Sequence, residues 1–106
     1  MAVRSEHDLA EHILKVVPKS AKVVFENDKI RVIEIVMRKG QKLTMHSHMP
    51  SLAYGITSSK FKATSPDGKS RVVRMKKGEA SWSDERSHSV ENLGGLSRAL
   101  SIELKG

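Results

Sequence analysis

From Ala21 onward the chain is cut by turn residues at near-regular intervals, and the runs between them are short and rich in Val and Ile. Runs of this length suit strands and are too short for packed helices. "AKVVFEN" and "KIRVIEIVMR" flank the turn signal Asn27-Asp28. "QKLTMHSH" follows Lys39-Gly40, "SLAYGIT" follows Pro50, and "KFKATS" runs into Pro66-Asp67-Gly68. "KSRVVRM" ends at Lys77-Gly78; "EASWS", "HSVENL", the turn Gly94-Gly95 and "SRALSIELK" complete the chain. Roughly eight or nine short strands so spaced predict an all-β sandwich or barrel, and barrel closure hides the strand edges. The first twenty residues differ. "SEHDLAEHILKVV" opens with Ser5, carries acids early, repeats Leu9, Ile13 and Val16 or Val17 at helical spacing and meets Pro18. That is a short helix with start and stop signals. The predicted division is a helical arm over residues 1–20 and a barrel over 21–106.

At 106 residues the chain is one domain with a small core, and a homodimer is expected on that ground. It has no cysteine, so any metal must be held by nitrogen and oxygen. No apolar run is long enough to span a bilayer, and the N-terminus lacks the apolar stretch of a signal peptide. A cytoplasmic protein is the default expectation. The net charge is +7, and its tightest cluster is "SRVVRMKKG", with Arg71, Arg74, Lys76 and Lys77. No nucleic-acid motif or interleaved aromatic accompanies it, so it reads as a solvated strand face rather than a nucleic-acid site. An anion-binding face is the alternative.

The chemistry concentrates in histidine. His46 and His48 alternate on a strand and share a face with Thr44, while Leu43, Met45 and Ser47 face away. At roughly 7 Å backbone spacing two imidazoles can converge on one ion. His88 opens a later strand, with Val90 and Asn92 on its face, and its segment mirrors the first: a glycine turn, a strand, then histidine. His7 and His12 lie five apart on the arm, which does not stack them on one face, and they read as surface residues.

These segments resemble the cupins, specifically small single-domain bacterial ones. The first signature of that family is matched by Gly40, five residues, then His46 and His48; the second by Gly78, His88 and Asn92. "VFENDKIRV", "MHSHMP" and "HSVEN" add to the likeness, which covers roughly residues 21–105. The resemblance implies a double-stranded β-helix, or jelly-roll barrel, with a metal held by three His and one Glu. The Glu is expected at position 52 or 53, where Leu52 and Ala53 stand. The implied site is therefore His46, His48 and His88 with open positions.

Three neutral imidazoles without a carboxylate favour Fe, Zn, Ni or Cu over Mg or Ca, and leave the charge of the ion available to a small anionic ligand. Some cupins with three-His sites are iron-dependent dioxygenases, so a metalloenzyme of that type is one reading. A cupin that binds ligand or metal without turnover, and a basic interaction module without metal, are the others. Tyr54 shares the side of Leu52 and is a candidate to reach inward, behind the ligands or against a substrate. Arg86 is a candidate partner for a ligand carboxylate, against the simpler reading of a solvated loop arginine. Ser51 belongs to the same rim. Glu79, Asp84 and Glu85 lie in the loop before His88 and are candidate acids or bases, against the plainer reading of a solvated loop. Trp82, six residues before His88, is a candidate pocket wall, while Phe25, Phe61, Met37, Met45 and Met75 read as core or subunit interface.

Overall fold

The computed structural model describes residues 10–105. Nine strands follow one helical turn, α1 (Ile13–Val16): β1 (Ala21–Glu26), β2 (Ile30–Met37), β3 (Lys42–His48), β4 (Ser51–Gly55), β5 (Ser59–Thr64), β6 (Ser70–Met75), β7 (Ala80–Ser83), β8 (Arg86–Asn92) and β9 (Ser97–Leu104). They form two antiparallel sheets, β1-β2-β9-β4-β7 and β3-β8-β5-β6. The turns follow the chemistry of their residues. Asn27 Oδ1 accepts hydrogen bonds from the amides of Lys29 (2.8 Å) and Ile30 (2.9 Å), closing the β1–β2 hairpin. Gly40 and Gly78 adopt φ of 78° and 82°, a conformation that side-chain-bearing residues rarely take.

Alternation sends one face of each strand inward. Ile33, Met37 and Ala21 from one sheet meet Leu43 and Val90 from the other, and together with Ile13 they form the buried core. In β3 the alternation is interrupted. Leu43 pairs with Val90 and His46 with His88, so β3 carries one extra residue across the Thr44–Met45 segment. The bulge corrects the face predicted for this strand: Leu43 is buried with His46 and His48, and Thr44 is exposed.

The N-terminal helix is shorter than its pattern predicts. Its described part is a single turn, and the start expected at Ser5, like His7, lies outside the described residues. His12 is the N-cap, its Nδ1 accepting from the Leu14 amide at 3.2 Å. The segment before it joins the β3 edge: the Ser47 amide donates to Glu11 O at 2.7 Å, and His12 bridges to Ser47 in parallel. Ile13 is thereby inserted between the sheets and is fully buried.

His12 is not the surface residue its sequence context suggests. Its Nε2 lies 2.7 Å from Oε2 of Glu103, which is 1% exposed. With Nδ1 occupied as an acceptor, Nε2–H is the donor. Arg31 donates to Glu103 Oε1 from Nε (2.9 Å) and Nη2 (2.7 Å), and the Met49 amide reaches Oε2 at 3.3 Å. A buried carboxylate is tolerated when it is charge-paired and its lone pairs are filled, and this one is. The network ties the helical turn to β2 and β9, and so holds Ile13 in place.

The outer face of the five-stranded sheet is apolar along a continuous row. Phe25 lies opposite Val32, Val32 opposite Ile102, Ile102 opposite Leu52, and Leu52 opposite Trp82. Directly paired residues share a face, so the row crosses all five strands. Trp82 is 50% exposed at one end, with Nε1 donating to Asp84 Oδ1 at 3.2 Å. It is therefore not a wall of the interior, contrary to the sequence expectation.

Candidate metal centre

β3 and β8 bring the three histidines together. His46 and His88 are direct cross-strand partners, and His48, one alternation further along β3, pairs with Arg86. The candidate ligand atoms of His46, His48 and His88 all lie within 4.8 Å of one another. The rings stand nearly perpendicular in each pair, at 76°, 75° and 82°, with centroids 4.8, 4.9 and 5.0 Å apart. Their ring edges thus converge instead of stacking.

Hydrogen bonding fixes part of the tautomer pattern. His46 Nδ1–H donates to the Thr44 carbonyl at 2.7 Å, which leaves the Nε2 lone pair pointing at His48 Nε2, 3.0 Å away. Two imidazole nitrogens that share an ion at about 2.0–2.1 Å sit roughly 3 Å apart. His48 Nδ1 is buried without a partner among the described residues. An all-nitrogen donor set of this kind suits a divalent transition ion and does not suit Mg or Ca.

All three imidazoles are held neutral. Burial is the main cause in each. It drives the His48 pKa far below its ordinary value, with the Arg86 charge and the two other histidines adding to the effect. His88 is pushed down to about 3 by burial, then by His46, Arg86 and Arg71. His46 is lowered by burial against the opposing effect of its bond to Thr44. Neutral imidazole is the ligating form, so nothing must be deprotonated at neutral pH for a metal to bind.

This has a consequence for stability. A histidine whose folded pKa lies below its unfolded value of 6.5 takes its proton first in the unfolded chain. Stability is therefore lost as pH falls below about 6.5, by up to about 1.4 kcal/mol per pH unit for each such group. Glu103 acts lower on the scale. Burial raises its pKa, but His12 and Arg31 outweigh that and hold it below 4.5, so its contribution is lost as pH falls further. The urea midpoint of metal-free protein should decline from pH 7.5 to 5.5 and again below 4.5. A flat profile across the first interval contradicts buried neutral histidines.

The histidines line an interior cavity of about 110 Å³ together with Leu43, Phe61, Met75, Ala53, Ser101 and Arg86. β4 contributes its inward residues, Ser51, Ala53 and Gly55, and turns Leu52 and Tyr54 outward. Tyr54 is 41% exposed and does not reach inward as the sequence reading expects. Ala53, not Leu52, occupies the inward position where the resemblance calls for Glu, and it pairs with Ser101, whose buried Oγ has no partner among the described residues. Arg86 is in place at the rim, its Nη1 directed at Ser51 Oγ (3.5 Å) and the Asp84 carbonyl (3.3 Å). Burial lowers its pKa, and none of the residues lining the cavity is a carboxylate. Glu79, Asp84 and Glu85 are exposed and do not line it.

The fold has clear counterparts among solved structures. A cupin domain from Bordetella pertussis Tohama I superposes with a TM-score of 0.75 at 22% identity, over 81% of this chain and 92% of that one. The fold is a cupin fold. A cupin superfamily protein from Desulfitobacterium hafniense DCB-2 matches with a TM-score of 0.60 at 10% identity, over 81% and 76% of the two chains. An RmlC-like cupin from Desulfovibrio desulfuricans covers 96% of this chain and 89% of its own, with a TM-score of 0.56 and 16% identity. No protein-family model and no curated protein matches the sequence. No helix among the described residues is long and apolar enough to cross a membrane. In this cupin fold the three histidines are the one His, Cys, Asp or Glu group among the described residues arranged to hold an ion.

Proposed function

We propose that this cupin binds one divalent transition-metal ion (Fe, Zn, Ni or Cu) through His46, His48 and His88 and takes a small anionic ligand at the positions they leave open. The observation that carries the reading is the convergence of three neutral imidazoles, two buried and one half-buried, on one point of a largely apolar cavity. The bound ion would supply Lewis acidity, and as Fe(II) the oxygen chemistry of a dioxygenase. Arg86 is the residue of this chain that meets the ligand's negative charge, since it sits at the same rim without a carboxylate partner among the described residues. Tyr54 has no part in this on its outward position. A binding role without turnover is the second reading, favoured by a cavity that no carboxylate lines to act as acid or base. Calorimetry on metal-loaded protein tests the anion half: Arg86→Met should weaken acetate or glycolate at least tenfold with metal content unchanged. Equal affinities sink the role of Arg86, and oxygen uptake by the Fe(II) form with small thiols or diketones separates enzyme from binder.

The same reading places the protein in the cytoplasm, in keeping with a small domain that uses no disulfide, and treats residues 1–20 as an arm on a barrel of residues 21–106. It also makes the chain a homodimer through the outer face of the five-stranded sheet. The five strands, about 4.8 Å apart and four to eight residues long, present roughly 500 Å², somewhat under the roughly 800 Å² that each partner buries in a standard interface. The apolar row from Phe25 to Trp82 supplies a dry centre that a second copy can match by two-fold symmetry. Sedimentation should give twice the 11.8 kDa chain mass, and Leu52→Lys should give the monomer. A monomeric unsubstituted chain at high concentration overturns the assignment.

A further inference from the structure

A second cleft adjoins the metal centre, and the strand register explains it. The β5–β8 ladder ends where Thr64 faces Ser89. β8 continues to Arg86 with β3 as its partner, while the β5–β6 hairpin runs on to its own turn. The gap between them is a cleft of about 240 Å³ lined by Lys69, Arg71, Arg86 and His88, with the hydroxyl residues Ser70 and Ser87. Arg86 and His88 line the interior cavity as well, so the cleft and the cavity border the same two residues.

The charge in this cleft is one-sided. No carboxylate lines it, and Lys69, Arg71 and Arg86 appear in none of the ion pairs among the described residues. The nearby Asp67 is committed to its own turn, accepting from Ser65 Oγ and the Lys69 amide. Many surface lysines and arginines of this +7 chain are likewise unpaired among the described residues; the cleft differs in gathering three cations around one concavity that also reaches His88. Glu103 acts on Arg86 from beyond ion-pair distance and is itself engaged by His12 and Arg31, so gathering two guanidinium groups and an ammonium here costs repulsion that a bound dianion would reverse. Guanidinium forks match phosphate oxygens two at a time.

We propose that this cleft is a phosphate site, and that the ligand of this protein carries a phosphate monoester a few atoms from the group that meets the ion. The phosphate end stands on the cleft; only the other end rests on the metal-and-anion reading above. The test compares phosphoglycolate with glycolate by calorimetry on metal-loaded protein. Phosphoglycolate should bind at least tenfold tighter, and Arg71→Met should bring it down to the level of glycolate. Lys60→Met, which removes an equal charge from the outer face, should keep the difference. A gain below threefold, or equal losses in the two variants, overturns the proposal. Malonate, with a second carboxylate in place of the phosphate, should fall short of phosphoglycolate; if it matches it, the cleft does not select phosphate. Inorganic phosphate added to metal-free protein, followed by amide chemical shifts, separates the two readings. Shifts at residues 69–71 that Arg71→Met abolishes support the cleft even if no ion binds, and their absence overturns it even if one does.

Discussion

Replacing Glu103 with Leu is expected to destabilise the fold by about 3 kcal/mol. Removing one partner of a buried ion pair costs about 3–5 kcal/mol when the charge left behind stays buried. Here the lower end applies, because the side chains left unpaired, Arg31 and His12, are 27% and 22% exposed and can turn to water. For a domain of this size that corresponds to a fall in Tm of roughly 10–20 °C. Glu103→Gln keeps the shape and one acceptor and should fall between the two. The loss should also be felt locally. His12 and Glu103 hold the turn that inserts Ile13 into the core, so amide exchange at Val16 and Val17 should accelerate more than in the centre of β9. A loss below about 1 kcal/mol, or uniform exchange, would mean that the network does not anchor the turn.

His88→Ala is expected to remove metal binding while leaving the metal-free fold about as stable. Zinc bound by four ligands in small domains is worth about 10–16 kcal/mol, or roughly 3 kcal/mol for each ligand. Losing one of three should therefore weaken affinity by a factor of about 100 or more. His88 is the least buried of the three, so its truncation leaves the smallest gap. The metal-free variant also loses one imidazole that is hard to charge, so its decline between pH 7.5 and 5.5 should be shallower than that of the parent. Packing alone predicts the reverse: lower stability at every pH and unaltered metal binding.

The fold was legible because its signals are local. Turn chemistry at Asn27, Gly40 and Gly78 and the Val/Ile runs locate the strands, and two glycine-led segments in the right order locate the histidines. What escaped depends on pairing across the chain. The bulge in β3 leaves no mark in "LTMHSH", yet it decides that Leu43 and not Thr44 faces inward. Strict alternation from Pro50 does not reveal which side of β4 is interior, and the structure turns Ala53 inward and Tyr54 outward. His12 and Glu103 are 91 residues apart, and nothing near either announces a partner. The sign that a buried charge pair exists, though not its partner, is Glu103 itself, an isolated acid at an inward position of β9. Arg71 is exposed, as its strand context suggests, and its approach to Arg86 is set by register and not by sequence.

The central claim is that three imidazoles on β3 and β8 form a metal centre, and the most direct measurement is the metal content of protein purified without a histidine tag, determined by mass spectrometry of the elements alongside His48→Ala. About one Fe, Zn, Ni or Cu ion per chain in the parent and less than a tenth of that in the variant is the predicted result. A parent that carries no transition metal and takes none up on titration, or a variant that keeps the parent's content, would contradict it.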